Sequence, residues 1–146
     1  MVIIAGVDRT EGTDAVVTEG MRLADAFDEE LHVVHSITQS EFINLERTSV
    51  ESGGQAVDMD CIREIASSVA AERIETAGVD DESHVRSVGL VGPPASELLR
   101  YAREHDARYI VIGGRKRSPV GKAVFRSITQ EILLNTDRPV LTVMKQ

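Results

Sequence analysis

An acid at the end of one apolar run, a glycine pair at the end of another, and five unopposed bases after that pair are the residues of this chain with chemistry to offer. Val2-Ile3-Ile4-Ala5-Gly6-Val7 runs into Asp8, and Tyr109-Ile110-Val111-Ile112 runs into Gly113-Gly114. Between Gly113 and Gln130 stand Arg115, Lys116, Arg117, Lys122 and Arg126, with no acid among them. The stretch closes on Ser127-Ile128-Thr129-Gln130, which reads as a capping box with Ser127 as N-cap and Gln130 reaching back. Glycine lets the backbone approach a ligand. A helix N-terminus offers unpaired N–H groups and a partial positive charge, both suited to phosphate. Anion binding is the chemistry these residues could do. The same bases also read as a solvated, salt-bridging surface, Asp8 as a cap for the turn after it, and the glycines as a simple turn.

Catalytic constellations are harder to find. There is no Cys/His pairing, no zinc spacing and no Ser-His-Asp arrangement. His32 and His35 lie three apart in a strand pattern, so they face opposite sides and make no metal pair. His84 and His105 fall near a strand start and a helix end, where solvation or a dipole contact suffices. Cys61 has no partner for an internal disulfide and falls on an apolar stripe, so a small core residue is expected. Cysteine usage of this kind points to the cytoplasm. Asp at the end of the third strand would suit a receiver domain, but Val91-Gly92 stand there. A flavin site would want aromatics, and the chain has no Trp and 3% aromatic residues.

The elements that must position these residues alternate. Apolar runs at 2–7, 31–37, 85–91, 109–112 and 140–144 read as strands, the first buried on both faces as in a parallel sheet. Helices are expected from about Asp14 to Phe27, over the stripe Cys61, Ile62, Ile65, Ala66, Val69, Ala70, Ile74 and Ala77, from Pro94, and from Ser127 to about Asn135. Gly78 ends the second, Pro94 takes the first position of the third, and Pro139 forbids continuation of the fourth. Thr38–Gln55 reads as a long loop, a candidate lid, with one helical turn near Phe42-Ile43. The order β-α-β-loop-α-β-α-β-α-β implies right-handed crossovers and a doubly wound, five-stranded parallel α/β sheet in a single domain over residues 1–146. In such sheets ligands bind beyond the carboxyl ends of the strands.

With 146 residues, 24 acids against 16 bases and a net charge of −8, the chain is expected to be soluble, with no general affinity for nucleic acid or membrane. Only three of the bases are lysine, a balance that fits adaptation to high salt. Met1 leads directly into a strand pattern without a basic segment, so no signal peptide is expected.

At the strand ends the chain resembles the universal stress protein family. Members begin with a strand ending in Val-Asp before a Ser/Thr-rich turn, as Val7-Asp8-Arg9-Thr10 does here. Their third strand leads into Gly-Asp-Pro-Ala, matched by Gly92-Pro93-Pro94-Ala95. Their fourth reads Ile-Val-Met-Gly before a long loop to Gly-Ser, matched by Ile110-Val111-Ile112-Gly113 and Arg126-Ser127. They close on Pro-Val-Leu-Val-Val, matched by Pro139-Val140-Leu141-Thr142-Val143. The likeness runs in order along nearly the whole chain. It implies the Rossmann-like, adenine nucleotide alpha hydrolase-like three-layer sandwich. It also implies a stress-response regulatory role, with ATP or another adenine nucleotide as ligand, Mg2+ as an optional companion, and slow ATP hydrolysis at most.

In nucleotide-binding members the fourth-strand loop carries Gly, two residues, Gly, nine residues, Gly, then Ser or Thr. Gly113 and Ser127 match the first and last places, while Lys116 and Arg126 stand where the second and third glycines would be. Those side chains either crowd a phosphate or replace the lost backbone fit with charge. Asp8 matches the acid that contacts adenosine, and Ser36 and Ile37 match the strand-two end that borders the base. The nucleotide site implied is Gly6, Val7, Asp8, Ser36, Ile37, Gly113, Gly114, Lys116, Arg117, Arg126, Ser127 and Ile128. No catalytic or metal-ligating residue is assigned. The family also implies a homodimer through Val140–Met144, an apolar edge strand that invites pairing, and an unnamed protein partner. The alternative is a dimer of the same family that binds no nucleotide and acts by protein contact alone.

Overall fold

In a computed structural model of the chain, five strands pair side by side and all run parallel: β1 (Val2–Gly6), β2 (Glu30–Ile37), β3 (Val85–Val91), β4 (Ala107–Arg115) and β5 (Val140–Lys145). Their order across the sheet is β3-β2-β1-β4-β5. Helices α1 (Asp14–Phe27), α2 (Met59–Thr76), α3 (Pro94–Glu104) and α4 (Ser127–Asn135) alternate with them. The structure describes residues 1–8, 13–38, 40–41, 59–79, 81–115 and 127–145.

The alternation of side chains along each strand builds two cores, one per face. Ile3, Ala5, Leu31, Val33 and Val111 point to one side, where Val16 and Val17 of α1 and Ala70 and Ile74 of α2 cover them. Ile4, Val34, Leu90, Ile110 and Ile112 point to the other, under Leu98, Leu99 and Ala102 of α3 and Ile132 of α4. The result is the doubly wound three-layer sandwich expected from the β-α alternation. Each fully buried Ile, Leu or Val contributes roughly 1.5–3 kcal/mol of transfer free energy.

Helix ends obey local rules. Pro94 stands in the first turn of α3, where its missing N–H costs nothing. Gly78 adopts φ +70° after α2, and Asp28 takes the left-handed conformation after α1, its N–H returning to Asp25 O at 3.4 Å. Three details depart from the sequence reading. Cys61 is exposed rather than in the core: it precedes the buried Ile62 by one residue, and a 100° step carries it off the stripe. Arg73 takes a buried place on α2 instead, held by Asp14 Oδ1 at 3.3 Å. Strand β4 also continues through Gly113 and Gly114, which pair with Val143 and Met144. No helix among the described residues is long and apolar enough to cross a membrane.

Candidate functional site

β1 and β4 lie side by side, yet the chain leaves them in opposite directions. From β1 it crosses through α1 to β2 on one flank, and from β4 through α4 to β5 on the other. The two connections diverge at the carboxyl ends and open a crevice there. A cleft of about 560 Å³ occupies that crevice.

Its floor is made by the ends of β1 and β4. Gly6 allows close packing, since a Cβ there would stand 3.1 Å from Leu98 Cδ2 and 3.5 Å from Ile112 Cγ2. The Val7 N–H donates to Val34 O at 2.9 Å, which keeps the end of β1 paired up to Asp8. Thr13 Oγ1 donates to the Asp8 carbonyl at 3.3 Å and ties the start of α1 to the end of β1. On the other strand, Thr129 Oγ1 donates to Gly113 O at 3.0 Å. That buried hydroxyl ties the first turn of α4 to β4, so Gly113, Gly114, Ile128 and Thr129 form one wall.

The β2 side is held just as firmly. Ser36 Oγ donates to Gly92 O at 2.9 Å, and the Gly92 N–H donates to Ile37 O at 2.9 Å. His35 is buried and its Nδ1 lies 2.9 Å from Val7 O, so Nδ1 carries the proton and donates. Beyond β2 the Glu41 N–H donates to Thr38 Oγ1 at 3.3 Å, and that hydroxyl lies 3.4 Å from Glu41 Oε1. Both residues line the cleft.

Of the site residues expected from the sequence, Gly6, Val7, Asp8, Ser36, Gly113, Gly114 and Ile128 meet at this cleft. Ile37 does not. Adjacent strand residues point to opposite faces, and Ile37 packs with Ile62 and Ala66 of α2 instead. Lys116, Arg117 and Arg126 lie outside the described residues, as do Arg9, Thr10 and residues 42–58, which include most of the expected lid. Ser127 opens α4 through its backbone, and its side chain, with the capping box it would make, lies outside the described groups. Sequence reasoning missed His35, Thr38, Glu41, Pro94 and Met144 as lining residues. Thr38-Gln39-Ser40-Glu41 did carry a signal, the T-x-x-E spacing of a capping box.

Among the described residues no three His, Cys, Asp or Glu side chains gather as a metal site. The better-developed ion pairs sit at the opposite, amino end of the sheet. Arg108 grips Glu29 through two bonds of 2.9 and 3.0 Å, which hold the carboxyl below its usual value. His32 Nε2 donates to Glu30 Oε2 at 2.9 Å, with the same effect on Glu30, and Nδ1 accepts from Tyr101 Oη at 2.7 Å. Burial raises the Tyr101 hydroxyl. These groups pin strands and helices together far from the cleft.

Comparison with known proteins fits this geometry. The model of the universal stress protein family matches residues 1–144. A universal stress protein of Mycolicibacterium smegmatis is 40% identical over 72 residues, which span 44% of this chain and 55% of that one. The chain thus matches about half the length of that relative. A universal stress protein from Archaeoglobus fulgidus is similar in structure, with a TM-score of 0.67 and 26% identity over 97% of each chain. Another from the same organism, solved in complex with dAMP, has a TM-score of 0.61 and 20% identity over 97% of this chain and 96% of that one.

Proposed function

We propose that this chain, which belongs to the universal stress protein family, binds an adenine nucleotide in the cleft at the β1 and β4 carboxyl ends. The observation that carries the reading is the joining of Gly113, Gly114 and the first turn of α4 into one wall of a cleft that Asp8 also lines. Glycine backbone and a helix start suit phosphate oxygens. The Asp8 carboxylate suits ribose hydroxyls and repels phosphate, which gives the ligand a direction. A similar fold solved with dAMP lends support. ATP is the nucleotide we favour, because the bases that follow Gly114 in sequence suit a longer phosphate chain. Mg2+ would enter on the phosphate oxygens.

The role is regulatory, with little or no turnover: binding alters the contacts the protein makes with its partners. Mass spectrometry of protein purified without added ligand, followed by calorimetry with ATP and AMP, tests this. Absence of bound nucleotide together with no measurable affinity for either would sink the proposal. The same titration at raised salt separates the two readings of Lys116 and Arg126. If their charges replace backbone fit, affinity falls with salt and with either residue changed to alanine. If they crowd the site, changing both to glycine creates binding that the natural chain lacks.

The chain also works as a homodimer in our reading, paired through β5. That strand is a sheet edge, Met144 on it is exposed, and on the adjoining helix Leu134 is 83% exposed.

A further inference from the structure

At the amino end of the sheet, away from the cleft, three side chains are joined in a line. Glu30 Oε2 accepts from His32 Nε2–H at 2.9 Å, and His32 Nδ1 accepts from the Tyr101 hydroxyl at 2.7 Å. Glu30 and His32 lie on β2 and Tyr101 on α3, so the line crosses from sheet to helix. Arg86 on β3 holds the same carboxylate at 3.3 Å and fixes its place. His32 is 5% and Tyr101 8% exposed, so the partner of the phenol is the imidazole rather than bulk water. Burial also keeps that phenol in its protonated form. The Tyr101 ring stacks on the ring of His105 at a centroid distance of 3.8 Å, and His105 reaches the surface.

We infer that Tyr101 is a proton-coupled redox site: it gives one electron to a one-electron oxidant while its hydroxyl proton moves to His32 Nδ1. The O–H bond of Tyr101 breaks and an N–H bond forms at Nδ1. The electron reduces the oxidant, for instance a carbonate radical anion to carbonate. What remains is a neutral tyrosyl radical and an imidazolium whose Nε2–H faces the Glu30 carboxylate, a pairing that favours the charged ring. A thiolate in solution returns the electron, becoming a thiyl radical, and Nδ1 returns the proton. Loss of the electron alone would leave an unpaired cation on a buried ring, which the interior penalises. The proton must therefore leave with it, and that takes a base within hydrogen-bond reach. The electron needs no such contact, and the exposed His105 ring gives it a route to the surface. The chain has no Trp and two Tyr. The other, Tyr109, packs its ring on Phe27 at 5.7 Å, and no histidine bonds to its hydroxyl among the described residues. Tyr101 is the aromatic residue with a base built in.

The test is flash oxidation of the full chain by a photogenerated ruthenium(III) complex, followed by the tyrosyl absorption, in a Cys61→Ser background so that no thiol competes. In Tyr109→Phe, where Tyr101 is the sole tyrosine, the radical should form at a rate independent of buffer concentration, because the base is internal. Adding His32→Gln should slow it about a hundredfold, the lower range of what a positioned base contributes, and make the rate rise with buffer base. In Tyr101→Phe the radical falls on Tyr109, and its formation should depend on buffer base from the start. Should the His32 variant fail to fold, the Tyr109→Phe chain with isotopically labelled histidine answers instead: double resonance on the trapped radical should show coupling to a histidine nitrogen and to one exchangeable proton. A Tyr101 radical whose formation follows buffer base while His32 is present, a rate indifferent to His32→Gln, or a radical without coupling to histidine would overturn the inference.

Discussion

Gly89→Ala should be the most damaging of three single-methyl additions, and the structure says why. Gly89 lies on β3 directly beneath α2. A Cβ there would overlap the Arg63 carbonyl oxygen and stand 2.5 Å from Ser67 N and 2.9 Å from Ala66 Cβ. Comfortable separations are about 3.5–4.0 Å, so α2 would have to retreat by ~1.5 Å. Two of the obstacles are backbone, and no rotamer change relieves them. Retreat also loosens Ile62, Ala66 and Ala70, all fully buried on the same helix. Overpacking costs about 1–3 kcal/mol, and a backbone obstacle puts this case near 3 kcal/mol. At about 2–4 °C per kcal/mol for a chain of this size, the melting temperature should drop by roughly 6–12 °C. Two controls isolate the cause. At Gly20 the added methyl meets Leu31 Cδ1 at 2.8 Å, the tip of a flexible side chain, and alanine gains about 1 kcal/mol of helix propensity, so the net change should be small. At Gly78 nothing lies within 4 Å, but φ is +70°, and the left-handed conformation costs alanine about 1 kcal/mol. Thermal unfolding followed by circular dichroism should therefore rank the losses Gly89, then Gly78, then Gly20. A Gly89→Ala protein that melts above Gly78→Ala would refute the steric argument.

Three other outcomes are expected. Glu29 is held below its usual value by its bonds to Arg108, and Asp106 by its bond to Arg138. Depressed carboxyls contribute stability that is present above the ordinary value near about 4 and is lost as pH falls through the folded values, so melting temperature should decline on acidification below about pH 4. Glu29→Gln should flatten that decline, and a melting temperature constant between about pH 5 and pH 2 would speak against it. Asp8→Ala should weaken ATP binding by about 1.5–3 kcal/mol, as for a charged hydrogen bond to the nucleoside; calorimetry showing full affinity would remove Asp8 from the site. Thr142→Pro deletes an N–H from the edge strand β5 and should leave a folded monomer by sedimentation, whereas a natural chain that is monomeric at micromolar concentration would exclude the dimer.

The elements were legible where a single local rule decides them, and the site was legible only where position along a strand decides it. α1 starts at Asp14 and ends at Phe27, as the apolar spacing and the following polar residues indicate. The inward residues of α3, Ala95, Leu98, Leu99 and Ala102, follow from 3.6-residue spacing after Pro94. Asp8 and Gly113 could be placed at the site because ligands gather beyond strand carboxyl ends, and both reach the cleft. The errors come in neighbouring pairs. Ser36 lines the cleft and Ile37 does not; Ile62 is buried and Cys61 is not. At Cys61 and Ile62 the helix turns the side chain through about 100°, and at Ile37 the side chain is covered by Ile62 and Ala66 of α2. His35 shows the other limit. Spacing fixes its face of the sheet, but whether its second nitrogen finds a partner depends on which nitrogen the Val7 carbonyl engages, twenty-eight residues away. Leu98 and Ile132 belong to the core and also line the cleft, which sets them apart from Leu99 and Ala102. Nothing in their own neighbourhoods marks the difference, which arises because β1 and β4 send their connections to opposite flanks and leave that end of the core uncovered.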